Sequence, residues 1–370
     1  MKILLVRLRL IGDVVFTTPA IGAIRRRFPS AHLSYLVEPP AAPVVRGHPD
    51  LNELIVLERP GGLARWRYDL AMARRLRAAG FDIVIDFHGG PRSALLTRAT
   101  GAPQRIGYDL PGRRWCYTTR LPWTRSLVPP RHSVLNQWDL LTPLGIEPPD
   151  RSQDPVTMAV DAGAATRVNE RLGAAGVEPA ARLIVMHVSA GNPFRRWPAA
   201  SFAQTAAALA VADPRYRVVI TSGPSEAAAA ASVAHDAQRR AGAAAASRIV
   251  RSGEFDLTEL RALMDRAALY IGGDSGPLHV AATSAVPVVA LFGPTLPERS
   301  MPWRHPGVRA VAVDAGPLPC RPCHQHECVP GDFRCLTSIS PNMVIAAAES
   351  LLASASARDD AGELRRDGTP

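Results

Sequence analysis

The sequence predicts an α/β protein with two domains, each built on a parallel sheet with helices on both faces. Two observations predict this fold class. Short apolar runs alternate with segments of helical spacing, which is typical of parallel strands joined by helical crossovers. The alternation stops at the proline-rich polar segment Leu144–Pro155 and then starts again. A chain of 370 residues is also long enough for two domains of roughly 150 residues each.

The first half, predicted as a domain over residues 1–150, opens with a continuous apolar run at Ile3–Leu8. Such a run predicts a strand that is buried on both faces. A turn at Gly12 and Asp13 follows, and then a predicted helix over Thr17–Phe28 with Pro19 in its first turn. Further strands are predicted over His32–Val37, Leu54–Leu57 and Phe81–Phe87, and a further helix over Leu63–Ala79.

The second half repeats the pattern and predicts a domain over residues 156–340. Its strands are expected at Arg182–Ser189, Tyr216–Ser222, Ala268–Gly272 and Val286–Phe292, and its helices at Ala199–Ala210, Pro224–Arg240, Leu257–Ala267 and Gly276–Ser284. An apolar-rich helix over 341–356 could pack back on the first domain, and the charged residues 357–370 predict a disordered tail. Because such sheets bind ligands at the carboxyl ends of their strands, we expect two Rossmann-like, doubly wound domains that face each other across a ligand-binding cleft.

The chain is basic, with a net charge of +10 and a pI of about 10.1, and Lys2 is its only lysine. This balance favours an anionic partner, either phosphorylated substrates or an acidic lipid surface. Nucleic acid is not expected, because the arginines are scattered. Arg7 and Arg9 interrupt the opening apolar run, which therefore predicts a buried strand rather than a signal peptide. No stretch approaches the roughly 20 apolar residues of a membrane helix, so we expect a cytoplasmic protein.

Asp13 is the first candidate functional residue, because it lies between the first strand and the first helix. Gly12 permits a tight turn before it. The Asp13 carboxylate could cap the helix by accepting backbone N–H bonds, or it could act as a general base toward an acceptor hydroxyl. Both roles can hold together. The pattern G-x-G-x-x-G is absent, so this loop does not predict a dinucleotide site.

The segment Gly272–His279 (GGDSGPLH) follows a buried strand and opens a helix. Its glycines permit close backbone approach, and Ser275 and Gly276 expose N–H groups at a helix N-terminus, which favours an anion. Asp274 could accept from sugar hydroxyls. His279 lies one turn into the helix and could reach a phosphate. The alternative is a capped strand-to-helix turn that binds nothing.

Two further loops of this kind follow strands of the second half. One holds Ser189 beside the strand end, together with Arg195 and Arg196, either of which could neutralise a diphosphate. The other holds Glu226, which could bind a pair of ribose hydroxyls. A solvated arginine and a first-turn helix carboxylate are the alternatives for these residues. Taken together, the three loops predict a site for a nucleotide diphosphate.

Four of the five cysteines lie close together in a loop over residues 320–335, namely Cys320, Cys323, Cys328 and Cys335. Their spacing is plausible for a structural Zn²⁺ ion held by four thiolates, and His324 or His326 could replace one of them. The alternatives are free thiols that pack the loop, or a redox-sensitive pair. No cofactor is expected for catalysis.

These segments resemble glycosyltransferase family 9, the ADP-heptose:lipopolysaccharide heptosyltransferases, and the resemblance covers nearly the whole chain. It rests on IGDVV and TPA within residues 11–20, RRWP at 195–198, GDSGPLH at 273–279 and ALFGPT at 290–295. The cysteine cluster also resembles one found in many members. The resemblance implies the GT-B fold, in which two Rossmann-like domains share an active site.

The resemblance also implies roles for single residues. Asp13 would be the catalytic base. The donor site would consist of Ser189, Arg195, Glu226, Asp274, Ser275, Gly276 and His279, of which the last three would meet the diphosphate, Asp274 the sugar and Glu226 the ribose. The family usually has lysine in place of Arg195, and it often has histidine where Phe16 stands here, which could reflect a different acceptor.

The implied function is an inverting, metal-independent transfer of heptose from ADP-heptose to an acceptor in the lipopolysaccharide inner core. The expected partners are the nucleotide sugar and an anionic, lipid-linked oligosaccharide at the cytoplasmic face of the inner membrane. A related enzyme with another nucleotide sugar or acceptor is the first alternative. A non-catalytic binding protein on the same fold is the second, and the presence of both Asp13 and Asp274 argues against it.

Overall fold

The computed structural model describes residues 1–124 and 129–366, with side chains as far as residue 354. The chain forms two compact units. Unit 1 consists of Met1–Ala159 and Trp303–His305, and unit 2 of Val160–Pro302 and the residues from Pro306 onward. The predicted α/β architecture with two domains is confirmed.

The proline-rich segment Leu144–Pro155, where the sequence pattern suggests a linker between the domains, is part of unit 1. Trp303 follows most of unit 2 in the sequence but packs in unit 1, where it binds this segment. Its indole Nε1 donates to the Asp154 carbonyl at 2.8 Å, and its own carbonyl accepts from Val156 N at 3.0 Å. The buried Asp154 carboxylate also forms an ion pair with Arg26. Because these contacts with Trp303 and Arg26 fix the segment in unit 1, it is not a free linker. The boundary between the units lies after Ala159.

Unit 1 contains a parallel sheet of six strands. The strands are β1 (Lys2–Val6), β2 (His32–Val37), β3 (Glu53–Val56), β4 (Ile83–Asp86), β5 (Gln104–Tyr108) and β6 (Thr119–Leu121). The helices are α1 (Ile11–Val15), α2 (Thr18–Arg27), α3 (Ala42–Val45), α4 (Gly62–Ala79), α5 (Pro91–Ala99) and α6 (Ser133–Trp138). The predicted strand over Ile3–Leu8 is confirmed at its core, where Ile3 to Val6 are fully buried between two helical layers.

The strand order in unit 1 is β3-β2-β1-β4-β5-β6. The chain first moves outward from β1 through β2 to β3 and then crosses back to place β4 against β1, with Val6 opposite Asp86. Helical crossovers therefore leave β1 and β4 in opposite directions, which opens a crevice above their carboxyl ends. Residues that directly follow β1 and β4 are placed in that crevice.

Unit 2 repeats this arrangement with an independent sheet. Its strands are β7 (Arg182–His187), β8 (Tyr216–Thr221), β9 (Ile249–Val250), β10 (Ala267–Gly273), β11 (Val288–Phe292) and β12 (Ala310–Asp314). Its helices are α7 (Ala162–Ala174), α8 (Ala199–Ala212), α9 (Ala227–Ala241), α10 (Leu257–Arg266), α11 (Gly276–Ala282), α12 (Pro297–Ser300), α13 (Arg334–Thr337) and α14 (Pro341–Arg366). The order β12-β11-β10-β7-β8-β9 places the corresponding crevice above β7 and β10.

The expectation that the C-terminal helix packs on the first domain is wrong. Val344, Ala348, Leu351 and Leu352 of α14 are buried in the core of unit 2, against residues of α8 and the sheet. Their spacing of three to four residues forms one apolar stripe, and such a stripe specifies burial without specifying the partner. The helical backbone also continues to Arg366, beyond the predicted end at 356, through residues that include good helix formers such as alanine and arginine. Residues 367–370 of the predicted tail lie outside the described residues.

None of the helices in the described part of the chain combines the length and the apolar character that crossing a membrane requires.

Candidate active site

The turn after β1 is made by Leu10 rather than by Gly12. Leu10 has φ +67°, in the left-handed region, whereas Gly12 lies inside α1. A leucine in this region costs on the order of 1–2 kcal/mol. Asp13 stands in the first turn of α1, and the residue before the helix is Leu10, whose side chain makes no capping bond. Asp13 is therefore not the N-cap that one reading of the sequence predicts.

The Asp13 carboxylate is held by Arg7 at the mouth of the unit 1 crevice. Asp13 is only 8% exposed, and its Oδ2 forms an ion pair with Arg7. Arg7 Nη1 donates to the Phe87 carbonyl at 2.6 Å, which attaches the guanidinium to the chain just after β4. Arg7 thus links the ends of β1 and β4, and it fixes the position of the carboxylate.

His88 and the loop after β4 complete this side of the crevice. The buried Asp86 carboxylate accepts from His88 N at 2.9 Å, Gly89 N at 3.0 Å and Tyr117 Oη at 2.7 Å. Burial nonetheless raises the pKa of Asp86. Burial and the charges of Arg7 and Arg9 lower the pKa of His88 to about 4, so its ring is neutral near pH 7.

A small pocket opens beside Asp13 within unit 1. Its lining consists of Arg7, Asp13, Tyr108, Trp123, Ser133, Asn136 and Gln137. Apart from Asp13 Oδ2, which is ion-paired with Arg7, three buried atoms of this lining have no hydrogen-bond partner among the described residues: Arg7 Nε, Asn136 Nδ2 and Gln137 Oε1. Two of these are donors and one is an acceptor, which suits a ligand whose hydroxyl groups both donate and accept. The rings of Tyr108 and Trp123 meet edge to face, with 4.6 Å between their centroids, and form an aromatic wall of the pocket.

Four residues of this site carry no functional prediction from the sequence: Arg7, His88, Asn136 and Gln137. Arg7 directly follows β1 and His88 stands two residues after β4, and these positions beside the strand-order reversal were the available signal. Asn136 and Gln137 carry no such signal, because they belong to α6, far along the chain from Asp13.

Ser189 connects the loops that follow β7 and β8 in unit 2 through hydrogen bonds. Its hydroxyl lies 2.9 Å from His187 Nε2 and accepts from Gly223 N at 2.9 Å. His187 Nδ1 in turn lies 3.0 Å from Thr221 Oγ1. Burial lowers the pKa of His187 to about 4, so the ring is neutral and can donate through one nitrogen while it accepts through the other. The loops after β7 and β8 are thereby held together.

Glu226, the predicted ribose contact, lies in this pair of loops and forms an ion pair with Arg196 at 2.7 Å. Arg196 Nε also donates to the Ala190 carbonyl at 2.8 Å. Of the two arginines that the sequence left open, Arg196 therefore contacts the loop after β8, and Arg195 contacts the loop after β10.

Asp274 is the centre of the second polar group in unit 2. It is 3% exposed, its Oδ1 lies 3.4 Å from His279 Nε2, and its Oδ2 lies 3.3 Å from Arg195 Nη1. Burial alone would raise the pKa of Asp274, but the His279 hydrogen bond and charge, together with the Arg195 charge, outweigh burial and leave the pKa below its usual value. Arg195 Nε also donates to Gln325 Oε1 at 2.6 Å. Three predicted donor-site residues are thus brought together.

Ser275 and Gly276 stand at the start of α11, next to this group. Ser275 has extended backbone and does not cap the helix, and its buried Oγ has no hydrogen-bond partner within the described ranges. A Cβ on Gly273 would lie 3.1 Å from the Arg195 carbonyl oxygen, so the glycine permits close approach of the two loops. Unit 2 therefore brings the Asp274 carboxylate, Arg195, His279 and the start of α11 together at one crevice.

The cysteine loop over residues 320–335 is the candidate for a structural zinc site, and all four of its cysteines are free thiols in the structure. Burial, and then the charges of Cys320, Cys323 and Cys328, raise the pKa of Cys335. However, no three histidine, cysteine, aspartate or glutamate side chains of residues 1–124 and 129–354 converge as a group that could hold a metal ion. The structural zinc ion stays a prediction, to be decided by metal analysis of the purified protein, and it has no part in the site described above.

A fold of two units with parallel sheets, each with polar groups at its strand-order reversal, is the architecture of GT-B glycosyltransferases. The profile of glycosyltransferase family 9 (heptosyltransferase) matches residues 70–333, and the chain belongs to this family. It is an enzyme of the glycosyltransferase class, and the predicted family and GT-B fold are confirmed.

Characterised relatives extend the match beyond the profile. Lipopolysaccharide heptosyltransferase 3 of Escherichia coli K12 is 29% identical over 92% of this chain and 95% of its own length. A solved family 9 glycosyltransferase from Veillonella parvula is 26% identical, with a TM-score of 0.81 over 95% of this chain and 97% of its own. The E. coli heptosyltransferase WaaC, solved with ADP-2-deoxy-2-fluoro heptose, is 21% identical, with a TM-score of 0.65 over 95% of this chain and 99% of its own, and it supports the fold.

The lowered pKa of His187 predicts that the free energy of unfolding depends on pH. Its folded pKa of about 4 lies below the ordinary 6.5, so the unfolded chain takes up this proton first as pH falls. The His187 contribution is fully present above pH 6.5, and it is lost between pH 6.5 and 4, by up to about 3 kcal/mol. Urea unfolding of wild type and His187→Gln across this range tests it. The variant should lose less stability on acidification, and equal losses in both proteins would contradict the assignment.

Proposed function

We propose that the protein transfers heptose from ADP-heptose to an acceptor sugar of the lipopolysaccharide inner core, with inversion at the anomeric carbon and without a catalytic metal. The observation that carries the proposal is the placement of Asp13, ion-paired to Arg7, in a pocket where three other buried polar atoms lack partners among the described residues. Membership of family 9 and the names of the relatives support heptose as the sugar.

Unit 1 would bind the acceptor. The net charge of the pocket lining near Asp13 is close to zero, because the Arg7 guanidinium neutralises the Asp13 carboxylate. Such surroundings favour a hydroxyl-bearing ring over a phosphate group. The orphaned donors and acceptor would bind ring hydroxyls, and the Tyr108–Trp123 wall would contact the apolar face of the ring. One acceptor hydroxyl next to Asp13 could then transfer its proton to the carboxylate as its oxygen attacks.

Unit 2 would bind the donor. When the bond from the sugar to the diphosphate breaks, negative charge grows on the diphosphate, and groups already held in position stabilise it best. Arg195, His279 and the first N–H groups of α11 are available for this role, with Arg195 positioned by Gln325 and Asp274. Asp274 would accept from hydroxyls of the sugar, and Glu226 from those of the ribose.

The same residues support the metal-independent part of the proposal. A Mg²⁺-dependent transferase binds the metal through carboxylates that face the diphosphate. In unit 2 the buried Asp274 is engaged by His279 and Arg195, and Glu226 is engaged by Arg196. In this proposal the positive charge that the leaving group needs would be supplied by side chains. A lipid-linked acceptor would also place the enzyme at the cytoplasmic face of the inner membrane.

The direct test is product formation from defined substrates. Purified protein should convert ADP-heptose and an inner-core oligosaccharide acceptor to a product one heptose heavier by mass spectrometry, with activity retained after treatment with a strong chelator. UDP- and GDP-sugars should raise the melting temperature less than ADP-sugars do. Transfer from UDP- or GDP-sugars but not from ADP-heptose would instead establish the alternative of another donor, and no transfer from any sugar nucleotide would refute the enzyme assignment for these acceptors.

Gln137→Leu should weaken acceptor binding selectively. The substitution removes the buried Oε1 acceptor with little change in size, and one hydrogen bond lost corresponds to a rise in acceptor KM of roughly three- to tenfold. The donor KM should not change, because Gln137 lies in unit 1. Gln104→Leu, on β5 and outside the pocket lining, is the matched control. An unchanged acceptor KM, or an equal rise for donor and acceptor, would remove Gln137 from the acceptor site.

A further inference from the structure

The outer face of α4 carries apolar side chains where a surface helix ordinarily carries polar ones. Leu63 is 85% exposed, Trp66 75% and Leu70 52%. Successive residues of an α-helix are turned by about 100°, so positions 63, 66 and 70 lie within one narrow stripe along the helix. The opposite face of α4 packs against unit 1, because Met72 and Leu76 are buried in its core.

Two arginines extend this exposed stripe. By the same helical spacing, Arg67 and Arg74 lie on the side of α4 that carries Leu63 and Leu70, and both are exposed. Neither has an ion-pair partner among the residues that the structure describes. By contrast, Arg65 on the inner side pairs with Asp69 at 3.8 Å. We call the stripe of Leu63, Trp66, Leu70, Arg67 and Arg74 the outer face of α4.

The position of the outer face is set by the sheet. Helix α4 follows β3, and β3 runs parallel to β1, so the N-terminal turns of α4 lie at the same edge of the sheet as Asp13. Leu10 is at this edge as well, directly after β1, and its side chain is exposed. Glycine would adopt the left-handed backbone of position 10 with less strain, so leucine there adds apolar surface at a conformational cost.

We propose that the outer face of α4 is a docking surface for an anionic lipid bilayer. Tryptophan and leucine side chains insert at the boundary between headgroups and acyl chains, and arginines on the same face bind the anionic headgroups. The net charge of +10 adds long-range attraction to such a surface. Docked in this way, the carboxyl-end edge of the unit 1 sheet, and with it the Asp13 pocket, lies close to the membrane that holds a lipid-linked acceptor. This last point rests on the proposed function, whereas the docking surface does not.

A second copy of the chain fits the outer face less well. A two-fold contact through the same face would bring Arg67 and Arg74 near their own counterparts, which costs electrostatic energy. The patch of three apolar side chains is also small compared with the roughly 800 Å² that each partner buries in a stable interface. A bilayer places no such limit on the patch and complements its charge.

Vesicle sedimentation with the full chain tests the proposal. Wild type should bind vesicles of phosphatidylcholine with added phosphatidylglycerol, should bind phosphatidylcholine alone weakly, and should be released by salt. Leu63→Ser/Trp66→Ser and Arg67→Glu/Arg74→Glu should each reduce binding, the latter by roughly fivefold or more for each arginine. Val211→Ser and Arg239→Glu, exposed positions of unit 2, are matched controls and should bind as wild type does.

Separate readouts distinguish the possible failures. Transfer to a water-soluble acceptor should be the same in all of these variants, and melting curves should show that they fold. If wild type ignores anionic vesicles, or if the α4 variants bind them as wild type does, the docking surface is refuted while the enzyme assignment stands. If sedimentation velocity shows a dimer that Leu63→Ser/Trp66→Ser converts to a monomer, with no vesicle binding, the outer face is a contact between copies and the lipid proposal is likewise refuted.

Discussion

The reversal of strand order in each sheet is the constraint on which the rest of the structure depends. A parallel sheet sends all its carboxyl ends to one edge, and a reversal makes the crossovers on either side diverge, which leaves room above two adjacent strands. In unit 1 these strands are β1 and β4, and in unit 2 they are β7 and β10. Asp13, Arg7 and His88 follow the first pair, and Ser189, Arg195 and Asp274 follow the second. Residues far apart in sequence become neighbours for this reason alone.

The carboxylates at these crevices each lie against an arginine. Asp13 is paired with Arg7, Glu226 with Arg196, and Asp274 with Arg195 and His279. Pairing keeps buried charge from destabilising the fold, because an unpaired buried charge is costly. It also holds each arginine in a fixed position before a ligand arrives. A diphosphate that binds near Arg195 would therefore meet an ordered guanidinium, which limits the reorganisation that binding and bond breaking require.

The sequence was sufficient for the features that depend on local pattern. Buried strands read as apolar runs, and polar residues directly after them, such as Asp13 and Asp274, were candidates on position alone. It was insufficient where distant segments meet. Gln137 of α6 lines the same pocket as Asp13, although the two are far apart in sequence. Trp303 belongs to unit 1, although most of unit 2 precedes it in the sequence. No periodicity of the sequence predicts either contact. The apolar stripe of α14 indicated burial, but only the packing shows that its partner is unit 2. The role of Gly12 was misjudged because Leu10 adopts a backbone conformation that leucine rarely takes.

The central claim is that unit 1 provides the proton acceptor while unit 2 holds the donor, and one substitution examines both halves. Asp13→Asn keeps the size of the side chain and removes its charge. Turnover and the dissociation constant of ADP-heptose should be measured on the same preparation, with a melting curve to show that it is folded. The account predicts that turnover falls by roughly 100-fold or more while donor affinity stays near that of wild type. A folded variant that turns over at close to the wild-type rate, or one that loses donor affinity in step with turnover, would contradict it.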